Sequence, residues 1–286
     1  MKKVKIALIV VAILSGILAV YYEVCSPSTL VFHPKGLIAH EELELIRTNI
    51  GWMLVIILPT LLWLLVTAWR SRVDSSTISD ERSSPFVQAL LWLVPSSVIV
   101  VMSIITWNAA HRLDPSLAIP SKARPLTIQV VALDWKWLFI YPEQHIATLN
   151  FFQFPENTPI QFKLTADGTP MNSFWLPEMS GQIYAMTGMV NTLNIMADGP
   201  GEYRGRAVEI NGEGYADMTF TAKSSSQAEF DTWVKKVIAS SKPLSHDAYQ
   251  ELRKRGIDSA PMLYSSVEKD LFDKIVMYYM EPSPTP

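Results

Sequence analysis

Few residues in this chain of 286 stand in a pattern that a reaction or a metal would need. The five histidines, His33, His40, His111, His145 and His246, form no pair at metal-ligand spacing. No zinc motif, glycine-rich phosphate loop or nucleophile elbow occurs. The stretch with most chemical character is GRAVEINGEGYADM, residues 205–218. It offers a Gly-Glu-Gly turn, Tyr215, and Met218 three residues later. Its form is that of a metal-binding loop whose ligands have been exchanged for inert residues.

Cys25 is the one cysteine, so no intramolecular disulfide can form. It follows a short apolar run, IALIVVAILSGILAV, that itself follows Lys2, Lys3 and Lys5. A basic start and a short apolar run describe a secretory signal or a short first anchor. A cysteine at this place is where a lipoprotein would be acylated, although Tyr22, Glu23 and Val24 differ from the small residues usual before such a site. Two readings stand: lipid attachment at Cys25, or a free cysteine beside a retained helix.

The elements that must position these residues divide into two classes. Up to residue 107 long apolar runs dominate; beyond it the composition is that of a soluble domain. IGWMLVIILPTLLWLLVTAW and FVQALLWLVPSSVIVVMSIITW each reach the length that a helix needs to cross the hydrocarbon layer. Trp69 and Trp107 sit at their ends, as interfacial aromatics do, and Pro59 and Pro95 are tolerated inside a membrane bundle. The lysine-rich start and Arg70, Arg72 and Arg82 between the spans predict a cytoplasmic N-terminus and linking loop. The remainder is then expected outside, in the periplasm of a bacterium. A net charge of −3 and the lack of a basic stripe argue against nucleic acid as a partner.

From residue 125 the chain reads as short strands with Pro-Glu-Asn and Asp-Gly turns. About seven strands over residues 125–222 predict an all-β sandwich or barrel of Greek-key type. After KSSSQ, three amphipathic stretches predict helices, with Ser245 and Asp247 as starts and Gly256 as a stop.

Two membrane helices followed by such a barrel resemble subunit II of the haem-copper respiratory oxidases, whose barrel is cupredoxin-like. The resemblance is carried by DWKWLFIYPEQHIATLNFFQFPENTPIQF, MNSFWLPEMSGQIYAMTGM and PGEYRGRAVEINGEGYADM, most of residues 127–220. The helical tail resembles the C-terminal extension of the quinol-oxidising, cytochrome bo-type branch. The organisation expected is a signal or anchor over 1–25 and a membrane hairpin over 26–110, its helices at about 48–69 and 86–107. A cupredoxin-like domain over 111–222 and a helical extension over 223–286 would complete it.

Copper-containing members of that family carry a histidine in an HSF string and then C-x-E-x-C-x-x-x-H-x-x-M. Bridging thiolates, imidazoles and a thioether are the donors that copper selects. Laid on this sequence, the histidine position is Asn172, the cysteines are Ala207 and Asn211, and the second histidine is Tyr215. Only Glu209 and Met218 keep the family's residue types. Trp135 and Trp137 retain the position of the family's Trp-rich strand and are read as packing or partner contacts. A glutamate that the family commonly places at the mouth of a proton path is matched here by Gln88, whose amide cannot release a proton. Asp80 or Glu81 serving instead, proton uptake through the partner, and a merely polar bundle residue are the open readings of that position.

The resemblance implies a subunit without catalytic residues, cofactor or metal of its own, in a proton-pumping oxidase that reduces oxygen to water with ubiquinol. Haems and copper would lie in subunit I, its direct partner, with subunits III and IV and membrane lipid as further neighbours. The expected location is the bacterial inner membrane, with the large C-terminal domain periplasmic. A redox-active cytochrome c oxidase subunit II is opposed by the four exchanged ligands. A membrane-anchored periplasmic binding or assembly module outside respiration is opposed by the length of the matching strings.

Overall fold

The computed structural model describes residues 15–16, 18–26, 28–70, 84–169, 171–240, 242–257 and 260–280. They fall into two compact units, one of residues 41–114 and one joining residues up to 40 with those from 115 onward.

The first unit is a pair of long helices. Helix α1 spans Leu37–Arg70 and α2 spans Pro85–Arg112, with Pro59 and Pro95 inside them. Both are long and apolar enough to cross a membrane. Their expected bounds were narrower. Apolar runs mark only the stretch suited to hydrocarbon, whereas α1 begins eleven residues before 48, in LIAHEELELIRTN, which is rich in good helix formers. At 1.5 Å per residue its 34 residues measure about 51 Å, well beyond the hydrocarbon thickness. Arg112 Nε and Glu41 Oε2 are 3.1 Å apart.

The second unit is a two-sheet sandwich. Its ten consecutive strands are β1 Leu126–Leu133, β2 Lys136–Tyr141, β3 Ile146–Leu149, β4 Phe151–Pro155, β5 Ile160–Ala166, β6 Met171–Trp175, β7 Ile183–Met186, β8 Asn191–Ile195, β9 Gly201–Ala207 and β10 Thr219–Ser225. Helices α3 Gln227–Ser240, α4 His246–Arg253 and α5 Leu271–Met280 follow, in the three stretches where helices were expected. Ser245 caps α4, its Oγ accepting from the Ala248 amide at 3.3 Å. Two strands that the sequence reading did not foresee, β11 Lys242–Leu244 and β12 Met262–Val267, lie between these helices. They extend a seven-stranded sheet of order β11-β12-β3-β2-β1-β5-β8, which faces a five-stranded sheet of order β4-β10-β9-β6-β7.

Side chains of successive strand residues point to opposite faces. In β1 and β2, Ile128, Val130, Trp137, Phe139 and Tyr141 enter the core between the sheets, where the Phe174 and Phe220 rings stack at 4.7 Å. The alternate residues Val131, Leu133, Leu138 and Ile140 are as deeply buried, against Leu244, Tyr249, Leu252, Leu271, Phe272, Ile275 and Val276. The larger sheet is therefore covered on both faces, once by its partner sheet and once by the C-terminal extension. Residues 35–40 belong to the same unit. Gly36 bridges to Ala197, Lys35 pairs with Glu178, and His40 Nε2 lies 2.8 Å from Asp198 Oδ2.

Candidate functional site

The positions singled out along residues 172–218 converge at one end of the sandwich. Asn172 is fully buried on β6, and Ala207 closes β9, opposite Phe174 of β6. The Ala207 amide donates to the Met218 carbonyl at 2.9 Å, so the loop between them is pinched at its base. Gly212 takes φ +134°, a conformation open to glycine. Gly214 then leads into a single 3-10 turn at Tyr215–Asp217. Tyr215 packs against the core and Met218 is buried within it. Asn211 reaches across the loop, its Nδ2 donating to Asn172 Oδ1, while Asn172 Nδ2 donates to Thr169 Oγ1 at 3.2 Å. Glu209 lies half-exposed on the same loop.

This donor set does not fit a copper pair. The six positions supply two amides, a carboxylate, a phenol and one thioether, the alanine offering no donor, and neither thiolate nor imidazole stands among their side chains. The amides are engaged with each other. The atom left over, Asn211 Oδ1, is buried without a hydrogen-bond partner, and an amide oxygen is a hard donor suited to other cations.

Trp135 and Trp137 both pack within this unit. The Trp137 ring is fully buried, with centroids 5.2 Å from Phe174 and 5.9 Å from Phe220. Trp135 occupies the β1–β2 turn with φ +62° and is 6% exposed. It fits there because Gly212 and Gly214 leave room: a Cβ on Gly214 would stand 2.4 Å from its Cδ2. The Arg255 guanidinium covers its ring at 4.6 Å from the centroid.

Three features of this end carry no sequence motif. Asp167, 4% exposed in the turn after β5, accepts from Arg253 through Nε at 2.8 Å and Nη2 at 2.9 Å. Tyr249 also donates to it, and Tyr279 does so at 2.8 Å. The Gly168 amide donates to Tyr279 Oη at 2.9 Å. Buried Lys136 donates to the carbonyls of Leu252 and Lys254 at 3.1 and 3.0 Å, a cation on the last carbonyls of α4. Burial, then the Asp167 charge, pushes the Tyr249 hydroxyl far above the usual tyrosine range. Burial, then its hydrogen bond to Asp167, raises Tyr279. The Asp-Gly pair at 167–168 signalled a turn, but nothing local indicated its partners in the extension.

The remaining candidates stand elsewhere. Cys25 ends the helical residues 18–25 and is exposed. Gln88 is exposed in the first turn of α2, its backbone N–H donating to Ser84 O at 3.0 Å, and Asp80 and Glu81 lie outside the described residues. His111 and His246 are engaged locally, with Trp107 O at 2.8 Å and Glu268 at 3.8 Å.

The family model described as the COX Aromatic Rich Motif matches residues 239–283, the part of the chain that carries α4, β12 and α5. Cytochrome bo(3) ubiquinol oxidase subunit 2 of Pseudomonas aeruginosa is 40% identical over 252 residues, 87% of this chain and 76% of that one. Ubiquinol oxidase subunit 2 of Acetobacter aceti is 39% identical over 254 residues, 87% of this chain and 82% of that one. Among solved structures, the periplasmic domain of subunit II of the Bradyrhizobium japonicum cytochrome oxidase matches 42% of this chain and 96% of its own. Its identity is 22% and its TM-score 0.39.

Proposed function

The chain belongs to the subunit 2 family of ubiquinol oxidases, and on that premise we propose that it is a non-catalytic subunit of a proton-pumping haem-copper oxidase oxidising ubiquinol. The oxidase would be the terminal member of an aerobic respiratory chain and reduce oxygen to water. The observation that carries the copper-free part of this reading is the amide pair Asn172–Asn211, standing where a copper relay would need imidazole and thiolate.

A soluble one-electron donor needs a docking face with a relay behind it. Ubiquinol dissolves in the bilayer and reaches a catalytic subunit from within the membrane, so a barrel outside the membrane carries no electrons. This chain then contributes two spanning helices packed on subunit I, which holds the haems and copper, and a domain beside its outer face. Subunits III and IV complete the assembly in the bacterial inner membrane. Gln88, as an amide, releases no proton, so uptake runs through subunit I or through Asp80 and Glu81.

Membranes from a strain lacking the chain test the reading through oxygen uptake driven by ubiquinol and by reduced cytochrome c. The expected result is loss of the quinol-driven rate, restored by the gene in trans; intact quinol oxidation in the deletion strain overturns it. Metal analysis of the full chain purified without its partners tests the copper statement. Copper well below one per chain is expected, and about two per chain with thiolate absorption would contradict the donor chemistry.

A further inference from the structure

Two loops form the end of the sandwich around Asn172 and Asn211, and the C-terminal extension grips each of them separately. On one side, α4 and α5 bring Tyr249, Arg253 and Tyr279 to Asp167, with the Gly168 amide held by Tyr279. On the other, Arg255 lies over Trp135, and Trp135 is the surface on which Gly212 and Gly214 rest. Lys136 ties the backbone between these grips, at Leu252 and Lys254, to the β1–β2 turn. The loops themselves are joined by the Asn211–Asn172 hydrogen bond between side-chain amides.

We propose that the extension is a clamp: through Asp167 on one side and Trp135 on the other, it holds residues 167–169, 171–172 and 208–218 in a single arrangement. A metal ion shared by such loops would crosslink them by coordination. Here a buried carboxylate and an arginine–indole stack crosslink both to a third element. The clamp is a matter of geometry within this chain and holds whichever donor the oxidase uses.

Hydrogen exchange read by mass spectrometry on the full chain in detergent-solubilised oxidase tests it. Asp167→Asn removes the charge that Arg253 meets. It is expected to speed exchange about tenfold or more in residues 167–172, the shift expected when a charged hydrogen bond is lost. Arg255→Ala is expected to speed exchange in residues 208–218 while leaving 167–172 as in the wild type, and to raise hydroxyl-radical oxidation of Trp135 severalfold. If Asp167→Asn does not accumulate, Tyr279→Phe removes the acceptor of the Gly168 amide and must speed exchange there. Variants that loosen the extension while both loops keep wild-type exchange overturn the proposal. These readouts come from peptides of this chain, so they are independent of quinol-driven oxygen uptake.

Discussion

Tyr249 and Tyr279 show how a single carboxylate shapes its surroundings. Each hydroxyl meets Asp167, Tyr249 in a buried contact and Tyr279 in a half-buried one, which disfavours the phenolate through lost solvation and through repulsion. An unfolded tyrosine titrates at 10.0, whereas these hold their protons above that value. The stability they lend is complete below pH 10 and falls as pH rises further, because there the unfolded chain has released protons that the folded chain keeps. Tyr249→Phe is expected to flatten the loss between pH 10 and 11.5 by up to about 1.4 kcal/mol per pH unit, the limit for one proton. Urea unfolding at stepped pH measures that slope, and an unchanged slope would remove Tyr249 from the account. Gly214 makes a steric case. Its φ of −93° suits any residue, yet a Cβ would stand 2.4 Å from Trp135. Gly214→Ala should cost about 1–3 kcal/mol by overpacking. Thermal unfolding in a Trp135→Leu background, where the ring is gone, should show a smaller difference between glycine and alanine.

At the level of elements, the β1–β2 hairpin explains why the extension is part of the fold. LTIQVVALDWKWLFIY is apolar at odd and even positions alike, the mark of a strand pair covered on both faces. The sequence therefore held the evidence for a second covering layer, and the tail held amphipathic helices to supply it. The two short strands β11 and β12 left no such mark: three and six residues with partners in β3 and in each other are indistinguishable from loop without their context. The contacts of Asp167 escaped for a related reason, since their partners stand 82, 86 and 112 residues away. Which positions had exchanged a ligand was legible only through the family's motif, because an alanine, two asparagines and a tyrosine carry no pattern of their own. Stopping the chain after Ser240 would uncover Val131, Leu133, Leu138, Ile140 and Leu149. At about 1.5–3 kcal/mol for each large aliphatic side chain, the loss of about 7–15 kcal/mol rivals the whole stability of a domain. The truncated chain is expected to be degraded or to aggregate, as a time course of proteolysis would show. Leu252→Ala should be milder, at about 2–5 kcal/mol.

Across the whole molecule, topology follows from which residues share a compact unit. Residues 35–40 and the sandwich from 126 onward fold together through the Gly36–Ala197 bridge and the pairs Lys35–Glu178 and His40–Asp198. They must therefore lie on one side of any membrane, and the two helices between them, each long and apolar enough to cross one, allow the even number of crossings that this requires. Arg70, Arg72 and Arg82, around the connection at residues 71–83 that lies outside the described residues, predict that this connection is cytoplasmic and the sandwich on the other side. In a Cys25→Ser background, Lys235→Cys, exposed on α3, should then react with a membrane-impermeant maleimide in intact spheroplasts. Ser75→Cys in that background should react only after lysis. The reverse pattern would place the sandwich in the cytoplasm and overturn the orientation. Labelling of the wild-type chain reads Cys25 in the same experiment: a thiol carrying a lipid stays unlabelled before and after lysis, whereas a free exposed thiol is modified.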